Sequence, residues 1–424
     1  MFSIHTLANG TRVLLAPSND TQAVCVEALF PVGSRHETQA LSGASHFIEH
    51  LMFKGTQRRP TTLHISRDLD RIGAEYNAFT GKDYTGYYIK ASAEHLDLAL
   101  DMLADMLYSS TFKLVEFDRE RKVILEEIHM YEDDPRRSIE DTYEELLFRG
   151  HPLARLISGT EQTMLGITRP HLLAYRDRHY QPARCIVSIA GKVGEHALEV
   201  AERTFGAVRA RKRPVPAAPS FTQRPRGPMV QLQKKETAQA HLALGVPTFG
   251  VEDARAYPLG LLANILGGTM SSRLFIAVRE RRGLAYSVHA SSDHYADAGA
   301  FTVTAGLDPA RTTQALRVIV AELKRVRDRG VTAEELSRAK ENTEGRIVLG
   351  LEDSSARADW YGKQALLRKE VLTPVERIAR LMAVERDAVA AVARDVLRGD
   401  RLHLAVIGDF TEKDAAKWKG MLTL

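Results

Sequence analysis

Two stretches of the chain, "HFIEHLMFKGT" and "LGLLANILGGT", hold the same place in two consecutive copies of one pattern. Each follows an alternating strand ("TRVLLAP"; "MVQLQKK") and an apolar strand ("AVCVEALFPVG"; "AHLALGVPTFG"), and each ends in Gly-Thr. Gly55-Thr56 and Gly268-Thr269 are offset by 213 residues. At that same offset "TGYYIKASAEHLDLALDMLADML" matches "AGAFTVTAGLDPARTTQALRVIV", a strand and then a long helix with apolar residues at i, i+3 and i+4. An offset that holds twice marks a duplication. Both copies close with a late strand ("CIVSIAG"; "LHLAVIG") and a final helix. This order predicts an α+β fold of two homologous domains, each a mostly antiparallel sheet covered by helices.

Between the copies, "RARKRPVPAAPSFTQRPRGP" follows neither the helical nor the strand period and reads as a linker. The expected division is residues 1–208, a linker at 209–228, and residues 229–424. With 424 residues each domain can bury its own core. A formal charge of +4 is diluted over a large surface, so no nucleic-acid partner is expected. The longest apolar stretch, "YPLGLLANILGG", falls short of the roughly 20 residues that span a bilayer, so no membrane partner is expected either. "MFSIHTLANGTRVLLAP" lacks the basic and then apolar pattern of a leader, and a cytoplasmic location follows as the expectation. Cys25 and Cys185 lie in apolar, strand-like runs and are expected to be buried thiols.

The duplication also separates fold from function. The positions matching His46, Glu49 and His50 in the second copy are Leu259, Leu262 and Ala263. The helix therefore does not need its three polar groups in order to fold. At about 100° per residue, His46 and His50 lie about 40° apart and Glu49 about 60° to the other side of His46, so all three share one arc. Imidazoles at i and i+4 can converge on one Zn²⁺, and a neighbouring carboxylate can take a proton from water. The order is H-x-x-E-H, the inverse of the commoner zinc-peptidase motif.

A catalytic zinc takes three protein ligands. "DRERKVILEEIHMYEDDP" offers Glu120, Glu126 and Glu127, although such a helix can equally be a solvated acidic face. Glu120 and Glu127 stand two turns apart on one face, so one could bind metal while the other hydrogen-bonds a ligand histidine.

Taken together, "SHFIEHLMFKGT", "YNAFTGKDYTGYY", "ERKVILEEIHMYEDDP" and "RLFIAVRERRGLAYSV" resemble the pitrilysin (insulinase) family of zinc metallopeptidases. The similarity is to its short-subunit branch, which includes the β subunit of mitochondrial processing peptidase and bacterial relatives, and it covers essentially the whole chain. The resemblance implies one zinc per chain on His46, His50 and a glutamate 76 or 77 residues beyond the second histidine, which both Glu126 and Glu127 satisfy. The family's further glutamate seven residues before the ligand selects Glu127 as ligand, with Glu120 supporting a ligand histidine. Glu49 becomes the general base.

Without the resemblance, "YNAFTGKDYTGYY" is simply a hairpin. The resemblance makes its first strand an exposed edge to which a peptide adds, with Asn77 and Ala78 as substrate-binding residues. It also implies that Arg279 and Tyr286 grip the substrate and stabilise the oxyanion. The two domains would form half of a clamshell-like peptidase enclosing peptides or unfolded segments. Two chains build that enclosure in the branch, and this chain holds both motifs, so a homodimer is expected, with a heterodimer as the alternative. The alternatives for function are a presequence-type processing peptidase and a non-catalytic scaffold subunit of the same fold. The chain has no phosphate-binding loop of G-x-x-x-x-G-K-[ST] form, so ATP dependence is not expected.

Overall fold

β-branched and apolar runs supply eleven strands among the described residues, which in this computed structural model are 2–210, 213–222 and 227–424. The first sheet holds β1 (Ser3–Thr6), β2 (Arg12–Pro17), β3 (Ala23–Phe30), β4 (Glu75–Thr80), β5 (Thr85–Ser92) and β6 (Ile186–Gly191), in the order β1-β2-β6-β3-β5-β4. The second holds β7 (Met229–Lys234), β8 (Ala240–Phe249), β9 (Ala285–His294), β10 (Ala298–Leu307) and β11 (His403–Gly408), in the order β7-β11-β8-β10-β9. Apart from β1, the two orders superpose strand for strand. Even the parallel pairs correspond, β2 with β6 and β7 with β11, while the other pairings are antiparallel.

Central strands buried on both faces require helices on both sides. In β3, Val24, Val26, Ala28 and Phe30 face a core shared with helix α1 (Ala44–Met52) and helix α3 (Leu96–Ser109), which flank α2 (Thr62–Asp70) in sequence. Cys25 and Leu29, one residue out of phase, face a second core with Ala358, Tyr361 and Ala365 of the helix Ser354–Leu367. The second sheet repeats the arrangement. Its outer core takes Ile139, Tyr143 and Leu147 from α5 (Pro135–Leu147), which follows α4 (Leu114–Asp133). Cys25 and Cys185 are buried free thiols.

The compact units therefore depart from the expected division into 1–208 and 229–424. One takes Met1–Ile128, Arg155–Pro219 and Val348–Thr373; the other takes His129–Ala154, Ser220–Ile347 and Pro374–Leu424. Each half of the chain covers one face of its own sheet and sends a helix to the outer face of the other half's sheet. The period of these helices shows that they need a covered face but not which sheet provides it. Of the expected linker 209–228, residues 211–212 and 223–226 lie outside the described residues, and its described residues carry no helix or strand.

The imported helix Ser354–Leu367 is tied at its start. Asp353 accepts the N–H groups of Ser355 and Ala356 and pairs with Lys90 at 2.6 Å. Burial raises the Asp353 pKa, but Lys90 and the capping donors outweigh it and hold it below the usual carboxylate range. Asp353→Ala should cost about 1 kcal/mol in urea unfolding at pH 7 through the lost cap, with the solvent-screened Lys90 pair adding at most a few tenths. A depressed pKa contributes stability above the ordinary value of about 3.9, lost as pH falls through the lower folded-state value. The difference between wild type and variant should therefore shrink below about pH 4.

Candidate metal centre and active site

Helix α1 begins without a Ser, Thr, Asp or Asn cap. Gly43 stands there with φ of +94°, and a Cβ at this position would approach the Ser158 carbonyl oxygen to 2.6 Å. Its free N–H groups are met from a distance, because the buried carboxylate of Glu37 accepts from Gly43 and Ser45 at 2.7 Å each. Burial pushes the Glu37 carboxyl up to about 8, against the downward pull of these donors and of Arg155. Arg155 also donates to the Glu37 main-chain oxygen. The start of the helix is thereby fixed in place.

Phe47, Ile48, Leu51 and Met52 turn into the core, which leaves His46, Glu49 and His50 on the half-buried arc. Phe47 stacks on Phe117 of α4 with ring centroids 5.0 Å apart and planes 6° from parallel. Such a contact contributes about 0.5–1.5 kcal/mol beyond burial and holds the two helices face to face.

On α4, Glu120 and Glu127 point toward α1. His46 Nε2 and His50 Nε2 each lie 3.6 Å from the same oxygen, Glu127 Oε2. One ligand atom from each of the three residues lies within 4.8 Å of the others. The 3.6 Å separations are long for hydrogen bonds. They suit two donors on one tetrahedral zinc, which stand about 3.3 Å apart when each is 2.0–2.1 Å from the ion. Glu126, the other glutamate in range, is exposed.

The remaining groups are arranged around this set. His50 Nδ1 meets Glu120 at 3.2 Å, and Lys54 pairs with the second Glu120 oxygen at 2.8 Å. Burial raises the Glu120 pKa, but His50 and Lys54 together bring it below the ordinary value, so it stays a carboxylate. It can therefore hold the far nitrogen of His50 protonated and turn Nε2 toward Glu127. Burial, and then His50, push His46 down to about 3, which keeps this imidazole neutral as a ligand must be. Among the described residues its Nδ1 is buried with no hydrogen-bond partner. The donor set of two neutral-capable imidazoles, a carboxylate and an outer glutamate fits zinc.

Glu49 Oε2 accepts a 2.5 Å hydrogen bond from Thr80 Oγ1 at the end of β4. β4 lies at the sheet edge, paired among the described residues only with β5. Within it Asn77 is exposed, and its Oδ1 accepts the N–H of Ala78 at 2.9 Å. An amide that goes to a neighbouring side chain does not bond β5, so it belongs to the open side of the edge. In the other unit, the Arg279 guanidinium lies 4.9 Å from the Phe275 ring centroid and 5.4 Å from that of Tyr286. The Tyr286 side chain is 73% exposed. The structure thus brings His46, Glu49, His50, Glu120 and Glu127 together, with Asn77 and Ala78 on the strand that ends at Thr80, and brings Arg279 to Tyr286.

Glu37, Thr80 and Lys54 went unmarked in the sequence. Lys54 stands four residues after His50, just past the end of α1, and Thr80 two after Ala78 on β4, so each lies close in sequence to a candidate site residue. The signal for Glu37 is indirect: a helix starting at glycine needs an acceptor from elsewhere.

A sheet-and-helix scaffold of this kind is shared with solved structures. A protease from Helicobacter pylori superposes with a TM-score of 0.90 over 96% of this chain and 99% of that chain at 23% identity. A peptidase M16 inactive domain from Pseudomonas fluorescens reaches 0.87 over 97% and 98% at 18% identity; at such identities the likeness shows the fold. Residues 12–161 match the insulinase domain of peptidase family M16, and residues 166–343 match the domain described as the peptidase M16 inactive domain. An uncharacterized zinc protease of Streptomyces coelicolor is 39% identical over 97% of this chain and 90% of its own length. The uncharacterized zinc protease YmxG of Bacillus subtilis is 37% identical over 94% and 97%. The chain belongs to the insulinase family, peptidase family M16. No helix among the described residues is long and apolar enough to cross a membrane.

The geometry predicts that Glu127→Gln lowers zinc content from about one ion per chain to near zero by mass spectrometry, while Glu126→Gln leaves it unchanged. Loss of zinc from the Glu126 variant alone would show that the other carboxylate is the ligand.

Proposed function

We propose that the protein is a zinc-dependent endopeptidase acting on peptides or unfolded segments, with one zinc per chain on His46, His50 and Glu127. The observation that carries this reading is the placement of both histidine nitrogens 3.6 Å from one Glu127 oxygen, with Glu49 on the same helical arc. Zinc bound there would act as a Lewis acid toward the scissile carbonyl and the attacking water. Glu49 accepts a proton as the water attacks and passes it to the leaving amine. Burial raises the Glu49 pKa against the opposing pull of Thr80 and His50, the direction required of a group that must both take and give a proton near neutral pH.

Substrate adds to β4 as a further strand. Main-chain hydrogen bonds hold such a segment whatever its sequence, which suits a peptidase of broad range. The Ala78 N–H is available once the Asn77 side chain gives it up, and open edge strands invite this pairing. Arg279 and Tyr286 complete the proposal as groups that grip the substrate and donate to the oxyanion. In support, Arg279 has no carboxylate partner among the described residues and its ring neighbour Tyr286 is open to solvent. A homodimer is the assembly consistent with one chain carrying both motifs.

Glu49→Gln keeps the shape of the side chain but removes its basicity. The variant should retain its zinc and lose about 10²–10⁴-fold in turnover of an unstructured fluorogenic peptide, and chelation should silence the wild type. A Glu49→Gln protein with full turnover would contradict the assignment of the base.

A further inference from the structure

Among the described residues Thr80 is the one hydrogen-bond partner of Glu49, and it is also a residue of the edge strand. The hairpin register fixes how its two ends point. The Gly81 N–H bonds the Tyr84 carbonyl at 2.8 Å, and β4 pairs Phe79 with Gly86 and Asn77 with Tyr88. In an antiparallel ladder, hydrogen-bonded pairs alternate with pairs whose backbone groups face outward. Starting from Gly81, the bonded positions are Phe79 and Asn77, so the backbone groups of Tyr76, Ala78 and Thr80 face the open side. The Ala78 N–H, taken by the Asn77 side chain, agrees with this independently. The Thr80 side chain lies on the same sheet face as Ala78 and meets Glu49, while its backbone lies where an added strand would pair.

We infer that Thr80 is a positioning residue that couples strand addition at β4 to the orientation of Glu49. Resting on the peptidase reading above, the inference assigns two tasks to one residue. Its hydroxyl donates to Oε2 and so turns Oε1 toward the water. Its backbone is held when a substrate strand extends far enough along β4 to cover it. A carboxylate on a helix arc can rotate about its terminal torsion, and a donor at 2.5 Å removes that freedom. Strand docking then stiffens the base at the moment it is needed, and the effect falls on turnover more than on binding.

Thr80→Val removes the hydroxyl and keeps the shape, and Thr80→Ser restores the hydroxyl without the methyl. In the zinc-loaded full chain, Thr80→Val should lower kcat for an extended fluorogenic peptide by roughly tenfold or more, with KM within about twofold and zinc content unchanged. Thr80→Ser should return kcat to within about threefold of wild type. Infrared spectra of the metal-free proteins give a reading independent of activity. The carboxyl band of Glu49, identified by its loss in Glu49→Gln, should shift in Thr80→Val and not in Thr80→Ser. Wild-type kcat in Thr80→Val, an unshifted band, or a Thr80→Ser protein as impaired as Thr80→Val would overturn the inference alone. A wild-type protein without chelator-sensitive hydrolysis would overturn the peptidase reading and this inference with it.

Discussion

The contact on which the site depends is the stack of Phe47 on Phe117, one ring from α1 and one from α4. Each helix has an apolar side that must be buried, and the stack decides that these sides meet each other. The polar arc of α1 and the Glu120–Glu127 face of α4 are then left side by side. Glu37 prevents α1 from sliding or unwinding at its start, since both of its carboxylate oxygens are engaged by backbone N–H groups. A cluster of two imidazoles and three carboxylates would be costly to assemble on loops, because each side chain would lose its own freedom. Two braced helices bear most of that cost through apolar packing.

The second unit is an internal control. It repeats the strand order of the first, and Leu259 and Leu262, which correspond to His46 and Glu49, are fully buried there, with Ala263 nearly so. The same helix, freed of polar groups, simply becomes core. What the first unit gives up in burial at these positions it keeps as a half-open cluster, a usual sign that selection acts on chemistry over stability.

The fold and the site are legible in the sequence where the information is local. The arc of His46, Glu49 and His50 follows from helical period alone, and the sheet architecture follows from duplicated strand and helix patterns. Choosing between Glu126 and Glu127 did not follow from period, because neighbours on a helix differ by about 100° and only the position of α1 shows which azimuth matters. The exchange of helices between the halves was hidden for a related reason: Ile139, Tyr143 and Leu147 announce an apolar stripe but not the sheet that receives it. Glu37 acts across a loop, and Thr80 acts through a side chain whose partner lies 31 residues earlier in the chain. Tertiary placement decides all of these, and no periodicity encodes it.

The central claim is that peptide hydrolysis depends on a single zinc held by the first unit. It is tested most directly by titrating the metal-free protein with zinc while following cleavage of an unstructured peptide. Activity should rise linearly and level off at one zinc per chain. Cleavage already present in the metal-free protein, or zinc bound at that stoichiometry with no cleavage of any unstructured peptide, would contradict the account.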